Sequence, residues 1–289
     1  MNDKIKLNVC AFLTVLIWAS AIPLTKAAGG QLSPFALGLF RCIIAAVFLL
    51  IIGKFQGLRK PLCKKDLGLF FLCGMMGFSL YLICFNIGMQ TLTSATSSVI
   101  IALAPILTAA AAVKLYRETI KPIGWMSIGL AFIGVVILLF WNGVLSIDIG
   151  IVWTLAAALL FCGYNLMNRY LMQKGYTSLE IVTWSMVCGA ILMMGFLPQL
   201  ISQITVVSGS CIGIAVYLGM MPSAISYLLW AKAISLSTRT SEVTNYMFVT
   251  PLLSAAMGFL LLHEMPDLGT YLGGAIIIGS VVLFNLKGK

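Results

Sequence analysis

The sequence predicts an all-α integral membrane protein of ten transmembrane helices, arranged as two inverted-topology five-helix repeats. Three observations lead there. Of 289 residues, 61% are hydrophobic and only 9% are charged, whereas a soluble domain carries roughly a quarter charged. Too little charge is left to cover a water-facing surface. Apolar stretches of about 20 residues recur with short connections. They lack the apolar/polar alternation of a membrane barrel, as Val99 to Val113 shows. The chain also resembles itself at about half its length.

The spans follow in order. The first, 7–27, holds Trp18 and Ser20. Lys4, Lys6 and Ala19-Ser20-Ala21 imitate a signal peptide, but the apolar run continues to Leu24 and the span has a partner later in the chain, so it is read as retained. Spans 2 and 3 (34–53 and 67–89) carry Arg41, then Phe78, Tyr81 and Phe85 on one stripe. Span 4 (95–113) follows Ser94, contains Ser97 and Ser98, and has Pro105 near its centre. Span 5 (123–140) bears Gly124, Gly129 and Gly134. Span 6 (148–168) sets Tyr164, Asn165 and Asn168 on one face by i,i+3 and i,i+4 spacing. Span 7 covers 178–199. Span 8 (209–231) offers Ser223 with Tyr227 and Ser226 with Trp230. Span 9 (241–262) holds Thr244, Asn245, Phe248 and Pro251, and span 10 (268–285) holds Gly269, Gly274 and Gly279.

With a cytoplasmic N-terminus, 16 of the 18 Lys and Arg residues fall on the inner side; Lys26 lies at an outer helix end and Arg41 within a span. The positive-inside rule therefore places both termini in the cytoplasm. The net charge of +10 records insertion, and no nucleic-acid partner is needed to explain it. Eight cysteines without CxxC spacing read as small apolar side chains.

Pro105 matches Pro251 at an offset of 146, Gly124, Gly129 and Gly134 match Gly269, Gly274 and Gly279 at 145, and Lys26 matches Arg169 at 143. The two units are 1–142 and 143–289. Five spans per unit force the second to insert with opposite orientation. Glu118 thus becomes inner and Glu264 outer. Such symmetry suits alternating access about a membrane-plane axis.

Trp18-Ala19-Ser20, Ser33-Pro34 leading to Arg41, Ser94 to Pro105, Arg117-Glu118 with its glycines, and His263-Glu264 with its own form an ordered duplicate set. The chain resembles the EamA branch of the drug/metabolite transporter superfamily across both halves. The resemblance implies a ten-helix bacterial inner-membrane carrier, commonly exporting amino acids or other small metabolites, with a cavity lined by spans 1, 3, 4, 6, 8 and 9. One departure is Phe161-Cys162-Gly163-Tyr164, where the family usually has tryptophan.

Polar groups in hydrocarbon tend to face a protein interior or water. The expected substrate-binding set is Trp18, Ser20, Tyr81, Ser98, Tyr164, Asn165, Asn168, Tyr227, Trp230 and Asn245. The helix 4 serines equally suit close packing. Pro105 and Pro251 should kink their helices, as static bends or paired gates. The glycine ladders suit close packing or a homodimer contact. Arg41, the one deep charge, reads as an interhelical or snorkelling arginine rather than an anion ligand. No carboxylate lies at mid-span, which disfavours a cation antiporter built on a deep acid.

The expectation is a secondary transporter of amino acids or related zwitterions, exporting by alternating access. The alternative is export of other small organic solutes or cations held by ring faces. An enzyme is disfavoured because the only histidine, His263, lacks a nucleophile or metal cluster. No metal or cofactor is expected, and a scaffold would want a soluble partner-binding region.

Overall fold

In a bilayer every backbone polar group needs an internal partner, and every regular element described here is helical. The computed structural model describes residues 3–58, 64–116, 120–141, 148–237, 243 and 245–287. In order come α1 (Asp3–Gly29), α2 (Pro34–Gln56), α3 (Leu67–Gly74), α4 (Leu80–Gly88), α5 (Ser94–Ile101), α6 (Ala104–Tyr116) and α7 (Pro122–Phe140). They are followed by α8 (Ile149–Gln173), α9 (Ser178–Met193), α10 (Leu197–Ile204), α11 (Gly209–Met220), α12 (Ser226–Leu236), α13 (Thr250–Leu262) and α14 (Leu268–Lys287).

Among the described residues, seven stretches are long and apolar enough to cross a membrane: Asp3–Gly29, Pro34–Gln56, Lys64–Gly88, Ser94–Leu115, Ile149–Gln173, Ser178–Ile204 and Gly209–Leu236. Pro122–Gly134, Thr250–Leu262 and Leu268–Phe284 are shorter apolar helices. Side-chain oxygens of Ser33, Thr93, Asp148, Thr177 and Ser208 accept first-turn N–H bonds, fixing where α2, α5, α8, α9 and α11 begin.

Two π-helical turns interrupt the long helices. Met75–Ser79 joins α3 to α4, and Met221–Ile225 joins α11 to α12. Their starts are 146 residues apart, the offset that relates the two prolines. Pro222 explains the second, since it cannot donate into an α-helical ladder. The first contains no proline, but it follows a close approach of α3 to α9. A Cβ on Gly74 would stand 2.4 Å from the Ser185 carbonyl oxygen, and one on Gly189 would stand 3.0 Å from that of Gly74.

At the repeated prolines the helices break rather than bend. α5 stops at Ile101, and Ala102–Leu103 form a turn before α6. Likewise a 3-10 segment, Asn245–Val249, hands over to α13.

α1 packs against α11, α12 and α13, α4 against α8, and α2 against α9 and α11, while α7 and α14 form the most extensive helix pair. Gly134 belongs to that last contact, since a Cβ there would meet the Gly273 carbonyl oxygen at 2.8 Å. Gly129 and Gly279 face open space. The ladders therefore serve in part to seat these helices against each other.

Candidate functional site

Eight aromatic rings from four parts of the chain meet in the interior. Trp18 of α1 lies 5.5 Å from Phe161, 5.4 Å from Tyr227 and 5.1 Å from Trp230, centroid to centroid. Tyr164 meets Phe78 and Tyr227 edge-on at 5.4 Å each. Tyr81 joins through Phe161 at 5.7 Å and stacks on Phe85 at 5.9 Å. The edge-to-face pairs among these, Trp18 with Phe161 and Tyr227 and Tyr164 with Phe78 and Tyr227, each add about 0.5–1.5 kcal/mol beyond area burial. Trp230 and Tyr164 are fully buried.

Polar atoms on the rings are tied to their surroundings. Trp18 Nε1 donates to the Pro222 carbonyl oxygen (3.0 Å) and Tyr227 Oη to that of Gly77 (3.0 Å). Both acceptors lie in the π turns, where the helical ladder is interrupted and carbonyls face side chains. Trp230 Nε1 donates to Asn165 Oδ1 (3.1 Å), and Asn168 Nδ2 to Tyr164 Oη (3.0 Å). Asn165 Nδ2, Asn168 Oδ1 and Ser226 Oγ are buried with no hydrogen-bond partner among the described residues. The cluster thus combines ring faces with an unused amide donor and an unused amide acceptor.

The structure brings Trp18, Tyr81, Tyr164, Asn165, Asn168, Tyr227 and Trp230 together. Ser20 points aside: it donates to the Ile17 carbonyl and so accepts from Tyr217 Oη at 2.7 Å. Tyr217, an intramembrane tyrosine absent from the expected set, is thus the residue that holds Ser20 from the second half of the chain. Ser98 turns its hydroxyl onto the Ala95 carbonyl (2.7 Å) and takes no part in the ring cluster. Asn245 lies in the 3-10 segment, with its side chain outside the described residues. Phe161 occupies the span 6 departure and contacts Trp18 directly.

The two ends of the bundle differ. Where α1 ends, Lys26 Nζ pairs with Glu264 Oε1 (2.5 Å) and donates to the Leu92 carbonyl (2.9 Å), while Ser94 N–H donates to Glu264 Oε2 (2.8 Å). His263, at φ 54°, closes α13, and Glu264 N–H donates back to the Gly258 carbonyl, which aims the carboxylate at α5. At the opposite end, a cavity of about 940 Å³ opens among the ends of α2, α8, α9 and α12, lined by residues including Gln56, Arg169, Tyr176, Ser178, Leu228 and Lys232. Nearby, Asp66 receives Lys174 and Tyr176 Oη. Among the described residues no three of His, Cys, Asp and Glu are placed to share a metal ion.

Burial pushes the Glu264 carboxyl up, but hydrogen bonds from Lys26 and the Ser94 N–H outweigh it, leaving the group below its ordinary value. Stability from a lowered carboxyl is present above its unfolded value, about 4.3, and is lost as pH falls through the folded one. The melting temperature of the wild type should therefore drop more steeply than that of Glu264→Gln as pH falls below about 5, and the two should converge in acid. Parallel melting curves would contradict this role for the pair.

The EamA-like transporter family model matches twice, over residues 6–140 and 148–286. The uncharacterized transporter YdfC of Bacillus subtilis (strain 168) is 31% identical, with the alignment covering 99% of this chain and 93% of the relative. A probable terminal-alkyne amino-acid exporter of Streptantibioticus cattleyicolor is 29% identical, covering 95% and 92%. An S-adenosylmethionine uptake transporter of Rickettsia prowazekii (strain Madrid E) is 25% identical, covering 100% and 97%. A solved crystal structure superposes with a TM-score of 0.69 at 19% identity, covering 96% of each chain, and speaks to the fold alone. A packed bundle of long apolar helices, matched along its whole length by named transporters, is a multi-pass membrane transporter of small molecules rather than an enzyme, and the chain belongs to the EamA-like transporter family.

Proposed function

We propose that this transporter moves amino acids or related zwitterions across the bacterial inner membrane, in the export direction, by alternating access between two inverted five-helix units, 1–142 and 143–289. Both termini are cytoplasmic in this reading, and the three shorter apolar helices join the seven longer ones as ten crossings. The ring cluster, with its unused amide donor and acceptor, is the observation that carries the reading. Ring faces attract an ammonium group, while the amides orient a small polar molecule without a fixed acid that would favour a bare cation.

Several features support the two-unit mechanism. The family model matches each unit. The π turns and the breaks before Pro105 and Pro251 recur near the same offset. The Lys26–Glu264 pair holds one end together while the other opens into the cavity, an arrangement of one closed and one open gate. With cytoplasmic termini, the closed end is periplasmic and the cavity faces the cytoplasm, where an export cycle would load. One relative is named a probable terminal-alkyne amino-acid exporter and another an S-adenosylmethionine uptake transporter, which supports a small-metabolite substrate here.

Flux of the twenty L-amino acids in proteoliposomes tests this. Saturable flux of at least one is expected, and flux of none would reject the amino-acid reading.

A further inference from the structure

We propose that Arg41 binds the carboxylate of the transported solute. The inference rests on the zwitterion reading above and adds to it the group that would recognise the anionic end.

Arg41 lies inside α2, about a third of the way along a membrane-spanning stretch, and is only 4% exposed. A buried guanidinium in lipid is costly unless a counter-charge or a full set of acceptors compensates it. Its Nε donates to Ser223 Oγ and its Nη1 to Thr25 Oγ1, both at 3.2 Å. Ser223 gives its own proton to the Leu218 carbonyl (2.8 Å), so it meets Arg41 as an acceptor only. These partners are neutral, and they leave Nη2 without a hydrogen bond among the described residues.

Every described carboxylate is held elsewhere. Asp3 pairs with Lys6, Asp66 with Lys174, and Glu264 with Lys26. Asp148 accepts from Gly150 N–H, Glu180 from Thr177 N–H, and Asp267 from Thr270 N–H. None reaches the guanidinium. Arg41 is therefore an interhelical arginine, as its position in the sequence suggests, but it bonds to hydroxyls and meets no acid among the described residues.

Its location joins it to the ring cluster. Ser223 and Pro222 are neighbours in the second π turn, and Pro222 accepts the Trp18 indole N–H. One five-residue segment thus holds both Arg41 and Trp18. An arginine fork matches a carboxylate with two parallel N–H bonds, a geometry that neither lysine nor a hydroxyl reproduces. A carboxylate beside Arg41 would supply the missing counter-charge and leave the solute's ammonium and side chain to the rings and to Asn168. Tyr164, Tyr227 and Trp230 are buried in this structure, whereas Trp18 and Tyr81 are only half-buried.

The test uses purified full-length protein and three probes, L-methionine, L-leucine and L-phenylalanine, each beside its primary amide and its desamino carboxylate. Binding is measured by calorimetry to wild type, Arg41→Lys and Arg41→Gln, with monodispersity as the folding check. Wild type should bind at least one amino acid, and its desamino carboxylate, at least about ten-fold more tightly than the amide. Arg41→Gln should abolish that preference and Arg41→Lys should reduce it. Should Arg41→Gln fail to fold, the acid-to-amide ratio in wild type and Arg41→Lys still decides. Binding of the desamino carboxylates but of no amino acid would sink the zwitterion reading and leave Arg41 in its role. Equal affinity for acid and amide in wild type, binding of no carboxylate at all, or an intact acid preference in a folded Arg41→Gln would overturn the proposal.

Discussion

Gly77→Ala should unseat Tyr164 and lower the melting temperature by several degrees. A Cβ at position 77 would stand 2.2 Å from Cδ2 of the Tyr164 ring. Side-chain motion offers little relief, because Tyr164 is fully buried, packed on Phe78, Phe161 and Tyr227, and bonded through Oη to Asn168. Overpacking of this kind costs about 1–3 kcal/mol in well-packed interiors. Because the Gly77 carbonyl also receives the Tyr227 hydroxyl, the strain extends to α12. The double variant Gly77→Ala/Tyr164→Ala should be less destabilised than the sum of the two single changes, since the smaller side chain removes the clash. Thermal unfolding of all four proteins measures this, and strict additivity would show that the first π turn yields independently of α8.

Trp18→Ala should reduce flux by roughly ten-fold or more. It removes three ring contacts and the hydrogen bond to the second π turn together. Truncating a large aromatic in a packed interior costs about 3–5 kcal/mol, so folding must be verified beside the flux. Trp18→Phe keeps a ring but loses the indole N–H that grips Pro222. It should fall between wild type and Trp18→Ala, and it separates wall packing from control of the π turn.

Much of this site is legible from residue type and helical spacing. Tyr164, Asn165 and Asn168 share one helix face, and a phenol or amide within an apolar span must find a protein partner, so their convergence with Trp18, Tyr227 and Trp230 follows from the physics of hydrocarbon. Serines are less legible. A helical serine can satisfy its hydroxyl on a preceding carbonyl of its own helix, as Ser98 does on Ala95, and nothing in spacing distinguishes that from an inward-facing donor. Pro105 and Pro251 announce a disturbed helix, yet a helix that bends and one that stops present the same residue. Of the two π turns, only the second has a sequence signal, Pro222. The first shows only glycines whose lack of a side chain admits α9 at Gly74 and Tyr164 at Gly77. Contacts between distant helices are the least readable: Lys26 with Glu264, Ser20 with Tyr217, and Arg41 with Ser223 each depend on how units from opposite halves pack.

Solute is expected to occupy the ring cluster during transport. Amino-acid counterflow in proteoliposomes tests it most directly, with wild type, Trp18→Ala and, as a control, Trp125→Ala, whose side chain is exposed on α7. Transient accumulation of labelled solute is expected for wild type and Trp125→Ala, and strongly reduced accumulation for folded Trp18→Ala. Equal counterflow through both tryptophan variants would contradict it.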